Sequence, residues 1–183
     1  MDTRQRLIDV AVGLFTRHSF AGTSLQMIAD ELGVTKAAVY HHFHTREELL
    51  LAVLEPLFLE LQSGVVAAEA QRGPHARAER ALSGFVTLAV RNRSLVSVLA
   101  GDPSVIEMVR THPRLGEVID RQVRLLADVN PGRVGEVGAA VVMSGVACAV
   151  GQVSDLDDDE LRRYLVEAAR RTLGLRPPRR AAG

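Results

Sequence analysis

The sequence predicts an all-α protein of about nine helices, a small N-terminal three-helix unit followed by a larger helical body. Three observations carry this. Apolar residues recur at helical spacing along the 183 residues, and strand-like alternation is sustained nowhere. Ala, Val, Leu and Arg dominate while aromatics are 4% and Trp is absent, a composition that favours helices over strands. Gly, Pro and capping residues divide the chain into segments of helical length.

Taken in order, residues 4–18 carry Leu7, Val10, Ala11, Leu14 and Phe15 on one stripe. Gly13 inside it costs about 1 kcal/mol relative to Ala, so close packing is expected there. Ser19 to Thr23 is a break. Ser24 caps a short helix over 25–32 with Leu25, Ile28 and Leu32 on one face, and Gly33 ends it. Thr35 caps a second short helix over 36–43 with Val39 and Phe43 inward. Thr45 and Glu48 form a capping-box pattern for a helix from Arg46 toward Gln71. Pro56 inside it removes one backbone hydrogen bond and is expected to kink it.

Gly73-Pro74 turns the chain. Further helices are expected at 75–91, 94–100, 104–111, 114–128 and 133–152, divided by Gly101-Asp102-Pro103, His112-Pro113 and Asn130-Pro131-Gly132. Five acidic residues between Asp155 and Glu160 suit a helix N-terminus. Leu161, Leu165, Ala168 and Thr172 mark one stripe of a last helix ending near Gly174. Residues 176–183 read as a flexible basic tail.

Charge and cysteine usage exclude several function classes. Basic and acidic residues both number 22, with Lys36 the one lysine, which excludes binding by bulk charge. Cys148 is the one cysteine, so no internal disulfide or cysteine zinc site exists; it reads as a small buried hydrophobe. The amphipathic start is no signal-peptide core, and a cytoplasmic location is expected. Residues 137–154 hold no charge and match a bilayer in length, but their Gly, Ser, Gln and many small residues favour a fully buried helix at a core or subunit interface. No membrane partner is expected.

Residues 24–43 are the informative stretch. Two short helices joined by Gly33-Val34-Thr35, after one longer helix, form a helix-turn-helix pattern. The first braces the second through Ile28, Leu32, Val39 and Phe43. The second is then free to enter a DNA major groove, N-terminal residues first. Ala37 and Ala38 keep it thin and suit a thymine methyl. Thr35, Lys36, Tyr40 and His41 are placed to reach phosphates, and Arg46 sits at the next helix N-terminus, where free amides also favour an anion. Residues 1–50 carry five basic and six acidic groups, so the placement of charge has to matter more than its sum. His41-His42-Phe43-His44 is no metal site, because imidazoles at i and i+1 point about 100° apart on a helix.

The run from Thr23 to Leu50, TSLQMIADELGVTKAAVYHHFHTREELL, resembles the DNA-binding segment of the TetR family, and the match extends upstream through Ala11, Leu14, Phe15 and Phe20, over about 7–54. The resemblance implies phosphate contacts from Thr35, Tyr40 and Arg46. It implies base or flanking-backbone contacts from Gln26, Lys36, Ala37, Ala38 and His41, and packing with an occasional backbone contact from His42. Ser24 joins this candidate DNA-binding set. Two departures stand out: Ser19 where the family usually has Gly, which bears on the end of the first helix, and Pro56 in a helix that usually continues uninterrupted. The implied organisation is a DNA-binding domain at 1–54 and a ligand-binding and dimerisation domain at 55–175.

Beyond residue 55 only helix number and length agree with the family. Phe58, Phe85, Leu88 and Met108 are apolar candidates for a cavity, with His112 at its edge. The last two helices are implied to form a homodimer interface, with Val134, Val137, Gly138, Val141, Gly145, Ala149 and Leu165 as candidates. The expected partners are double-stranded DNA with a palindromic operator, a small-molecule effector and a second copy. No cofactor, metal or enzyme activity is expected, since no nucleophile–base pair, metal set or phosphate loop is visible. The expected function is a repressor released from its operator by a small molecule. The competing readings are a constitutive regulator without ligand response and a helical protein-interaction module.

Overall fold

The computed structural model describes residues 2–153 and 155–175. Among them are ten α-helices and no strand: α1 (Thr3–His18), α2 (Leu25–Leu32), α3 (Lys36–Tyr40), α4 (Arg46–Glu69), α5 (Pro74–Arg91), α6 (Arg93–Ala100), α7 (Pro103–Thr111), α8 (Pro113–Ala127), α9 (Arg133–Gln152) and α10 (Asp158–Leu173). The ten correspond one to one to the segments read from the sequence, one more than the expected total of about nine. Pro74, Pro103 and Pro113, which read as dividers, are instead the first helical residues of α5, α7 and α8. At that position the missing N–H has no intrahelical partner to lose. The tail expected at 176–183 lies outside the described residues.

The head is built as its caps dictate. The side chains of Ser24, Thr35 and Thr45 accept from the amides of Met27, Ala38 and Glu48. Glu48 reaches back to the amide of His44 at 2.7 Å, one residue before the cap. Gly33 ends α2 in the left-handed conformation, φ 70°, which glycine adopts without a Cβ penalty. The helix expected over 36–43 stops at Tyr40; His41 and His42 form a turn that swings Phe43 into the core. Leu7, Ala11, Phe15, Ile28, Val39 and Leu49 are fully buried together.

The body packs α4, α5, α8, α9 and α10 around a second apolar cluster. Gln122 lies within it, and its amide donates to the Ala81 carbonyl at 3.1 Å, so the buried polar group is satisfied. α4 continues through Pro56 and through the expected boundary at 54, joining both cores. A second join was not foreseen. Leu95, Leu99 and Val105 from α6 and α7 pack into the head's core. The carboxylate of Asp102, in the turn between those helices, accepts from the Ala21 amide of the head at 3.3 Å.

Several expectations are corrected. Gly13 has no close neighbour: a Cβ there would meet nothing within 4 Å. α9 is not fully buried. Ala139, Val142, Val146 and Val150 face the body, while Val134, Val137 and Val141 are 74, 61 and 54% exposed. Cys148 is exposed on that same open side. A helix made of small and apolar residues all round does not encode which side it buries. The stripe of α10 is displaced too: Leu161, Ala169 and Leu173 are buried and Leu165 half-buried, whereas Ala168 and Thr172 are exposed. Both α4 and α9 are long and apolar enough to cross a membrane; here α4 is shared between the two cores and α9 packs one face against the body.

Candidate nucleic-acid interface and effector cavity

α3 is a short rod held by one buried anchor. Val39 is fully buried, while Thr35, Lys36, Ala37, Tyr40 and His41 are exposed, and Ala38 and His42 are half-buried. The Thr35 oxygen is occupied as the cap of α3, but accepting from the Ala38 amide leaves its O–H free to donate. The Lys36 ammonium lies over the Tyr40 ring, 5.5 Å from its centroid, which restrains two long side chains on the open face. His41 and His42 meet edge to face at 5.1 Å, so the pair is packed as aromatics. Among the described residues no His, Cys, Asp or Glu group is arranged to hold a metal ion.

The acidic groups of this region are engaged elsewhere. Glu31 pairs with Arg17 at 2.7 Å, and Asp30 accepts from the Gln26 amide at 2.7 Å. Ser24 and Gln26 are both exposed at the start of α2, though Gln26 is turned along its own helix toward Asp30. Arg46 differs more from expectation. Its guanidinium donates to the carbonyls of Phe20, Ala21 and Thr23 at 3.1–3.3 Å and stacks over the Phe20 ring at 5.0 Å. It ties the α1–α2 loop to α4 and is only partly open to an outside anion.

One residue of the head was missed, and Ser19, singled out from the sequence as a departure, gains a physical meaning. Arg4 lies over the Phe43 ring at 5.3 Å, bracing the turn after α3 from α1; a lone Arg near the N-terminus gives no signal for this. Ser19 adopts φ 61° and is the one non-glycine with positive φ among the described residues. Its side chain accepts from the Gly22 amide and its carbonyl accepts from Thr23. Here the substitution for Gly was the signal, and its meaning is backbone strain.

In the body, a cavity of about 390 Å³ is lined from α4 through α9. Phe58, Phe85 and Leu88 all line it, as expected. Met108 does not: it packs toward the head's core. His112 lines a second, smaller groove of about 270 Å³ between α4 and α8, which Phe58 also borders. The reason is rotational: Ile106, Val109 and Arg110, three and four apart, share the face of α7 that lines the cavity, and Met108 lies off that face. The cavity residues that escaped sequence reading, including Leu99, Val105, Ile106 and Met143, sit on helices where the apolar positions cover more than one face.

The candidate interface residues also divide. Val134, Val137, Val141 and Gly145 are exposed, and a Cβ on Gly145 would meet nothing within 4 Å. Gly138 instead faces α10 of its own chain, where a Cβ would stand 3.6 Å from the Thr172 carbonyl oxygen. Ala149 and Leu165 are half-buried, and Tyr164 on α10 is a 49% exposed ring with Arg163 over it. Close approach within the chain is made at Gly151, where a Cβ would stand 2.2 Å from that of Ser97 on α6.

Comparison with known proteins adds a family to this geometry. Residues 7–53 match the family model described as bacterial regulatory proteins, tetR family. The transcriptional regulator SrpR of Pseudomonas putida is 45% identical over 53 residues, 29% of this chain and 25% of that protein. A probable acrEF/envCD operon repressor of Escherichia coli K12 is 29% identical over 104 residues, 54% of this chain and 47% of its own length. In both cases the match spans under half of the relative. A tetR-family regulatory protein from Rhodococcus RHA1 superimposes with a TM-score of 0.71 over 97% of this chain and all of that one, at 18% identity. That likeness extends through the body and concerns its fold alone.

Proposed function

We propose that this chain, whose residues 7–53 match the tetR family of bacterial regulatory proteins, is a cytoplasmic repressor that binds a palindromic operator as a homodimer and is released by a small molecule. One observation carries the DNA-binding part: α3 presents Thr35, Lys36, Ala37, Tyr40 and His41 outward while Val39 anchors it with no exposure at all. Thr35 and Lys36 sit at the helix N-terminus, where backbone amides also attract phosphate. Ala37 and Ala38 bring the backbone close to base edges. Lys36 and Tyr40 form the phosphate clamp on one side, with His41 after them. Ser24 and Gln26 add polar groups from α2, and His42 holds the turn. Arg46 acts mainly by fixing the α1–α2 loop, and through it the tilt of the head.

A single head reads a half-site, so two heads about 34–36 Å apart are needed for a palindrome. The exposed stripe of Val134, Val137, Val141 and Gly145, with the exposed Tyr164 of α10, is the surface that a second copy would cover. The cavity touches residues of both cores, Leu54, Leu99 and Val105 among them. A molecule inside it would therefore press on the head through α4 and through α6–α7. Coupling of about 1–3 kcal/mol between cavity and head is enough to release an operator, provided the molecule favours one spacing of the heads over the other.

The test is operator binding by the Tyr40→Ala variant, once bound sites are mapped across a genome. Affinity in a gel-shift assay should fall about tenfold or more, equivalent to roughly 1.4 kcal/mol, with the oligomeric state on a sizing column unchanged. Equal operator affinity would overturn the assignment of α3.

A further inference from the structure

The proposed effector cavity also carries a chemical signature, and from it we infer that its ligand is an uncharged, mainly apolar molecule with no more than one polar end, seated at the mouth. This inference rests on the cavity's regulatory reading for its biological consequence, though not for its chemistry.

The deep wall of the cavity has nothing for a charge to meet; the charged lining groups, Arg110 and Asp120, stand at its exposed edge. The lining side chains able to ionise or hydrogen-bond are Arg110, Asp120, Ser144 and Cys148, and all four are exposed. They stand on the outer edges of α7, α8 and α9. Arg110 is already held by both carboxylate oxygens of Glu107, at 2.8 Å. Asp120 would repel an anion reaching for it. The deep wall is hydrocarbon: Leu54, Leu61, Phe85, Leu88, Leu99 and Val105 are each buried and line the same space. The polar side chain of the body's core, Gln122, is spent on Ala81 and is not part of the lining.

Burying an ion in such a wall without a partner is far costlier than burying a hydroxyl that keeps its end at the mouth. Each methylene placed inside, by contrast, adds about 0.8 kcal/mol. Selection is thus by length and neutrality. A hydroxyl at one end can donate to the Asp120 carboxylate or to Ser144, an ester or ketone can accept from the Ser144 hydroxyl, and the chain or ring fills the wall.

The experiment is displacement of the neutral dye N-phenyl-1-naphthylamine from the full-length protein, without DNA, by homologous n-alkanols, n-alkanoates and n-alkylammonium ions at pH 7.5. Saturable dye binding is expected. Alkanol affinity should rise about fourfold per methylene and then level off when the cavity is full. The charged series of equal length should bind about tenfold more weakly or worse. Ala147→Trp, which fills the cavity from α9, should abolish displacement while circular dichroism stays native. If that variant does not fold, Ala100→Phe fills it from the end of α6. The inference falls if either charged series matches the alkanols, if dye binding is not saturable, or if a folded, filled variant binds dye as before. Operator release is a separate readout. Alkanols that bind but never release DNA would leave the chemistry standing and sink the regulatory reading; release by a charged metabolite alone would do the reverse.

Discussion

The head and the body use the same material, amphipathic helices with capped ends, yet they specify it differently. In the head each turn is written into particular residues: three side-chain caps, a left-handed Gly33 and a fully buried Val39 fix the pose of α3 to within a rotamer. In the body, α7 and α10 are capped by the side chains of Asp102 and Asp157 and α5, α7 and α8 open on prolines, but the helices pack through interchangeable Ala, Val and Leu. The head therefore tolerates little change in sequence, while the body keeps its fold as its side chains vary. Among relatives, SrpR is 45% identical over 53 residues and the acrEF/envCD repressor 29% identical over 104.

The comparison breaks most plainly if the two cores are thermodynamically separate. Phe15 is fully buried in the head and meets Phe20 edge to face at 5.4 Å. Truncating it in Phe15→Ala should cost about 3–5 kcal/mol, lowering the melting temperature by roughly 10 °C. Because α4 runs through both cores and Leu95, Leu99 and Val105 enter the head from the body, a single transition is expected to shift as a whole. Calorimetry showing the head melting alone, with the body unmoved, would make them two units.

A smaller effect probes the second join. Asp102 is 9% exposed and accepts from the Ala21 amide at 3.3 Å and from the Ser104 amide at 3.0 Å. The Ser104 hydroxyl, and after it the amides of Ser104, Ala21 and Val105, hold its carboxyl below the usual range against the opposing effect of burial. A depressed folded-state pKa contributes stability that is present above the unfolded value, about 3.9, and is lost as pH falls through the folded value. Asp102→Asn should therefore cost about 1–2 kcal/mol at pH 7, and the gap from the parent should narrow as the pH falls toward about 3. Urea unfolding across that range checks it; a gap independent of pH would remove the carboxylate's charge from the account.

How much was legible follows the same division. Helix-turn-helix geometry could be read because caps and turn residues are local: Ser24, Gly33 and Thr35 announce their roles from the sequence. The face that α9 buries could not be read, because Val134 and Val142 are the same residue and only the neighbours α6, α8 and α10 tell them apart. Cys148 was misjudged for that reason. Met108 was grouped with Phe85 as an apolar residue of the body and His112 placed at the cavity's edge, whereas Met108 packs toward the head's core and His112 lines the second groove. Arg46 was read as a free cation near a helix N-terminus; three backbone carbonyls of a loop about 25 residues away claim it, a contact no local pattern contains. Asp102 was read as part of a divider, with no hint that its acceptor oxygen serves the head.

Ser19 sharpens the comparison from within the head. It holds φ 61°, ψ 169°, a conformation that costs a non-glycine about 1–3 kcal/mol. Ser19→Gly relieves that strain but gives up the hydrogen bond from the Gly22 amide and adds unfolded-state entropy of about 0.5–1 kcal/mol. A net gain of about 1 kcal/mol is expected in urea unfolding; a loss would mean that the Ser19–Gly22 contact outweighs the backbone.

The smallest effect separates head from body most cleanly, because it starts from two glycines in equivalent surroundings. Gly13 in α1 and Gly145 in α9 are both helical, and a Cβ on either would meet nothing within 4 Å. Within one chain, alanine at each should stabilise by about 0.5–1 kcal/mol, by reducing the freedom of the unfolded state without adding a clash. Gly13→Ala should do so at every protein concentration. Gly145 lies on the stripe proposed to meet a second copy, where a Cβ would push the two α9 helices apart. Gly145→Ala should therefore raise the dimer dissociation constant measured by analytical ultracentrifugation, and its melting temperature should fall below the parent's at dimer-forming concentrations. If both variants gain stability alike and dimerisation is unmoved, the second copy docks elsewhere, and the open side of α9 needs another occupant.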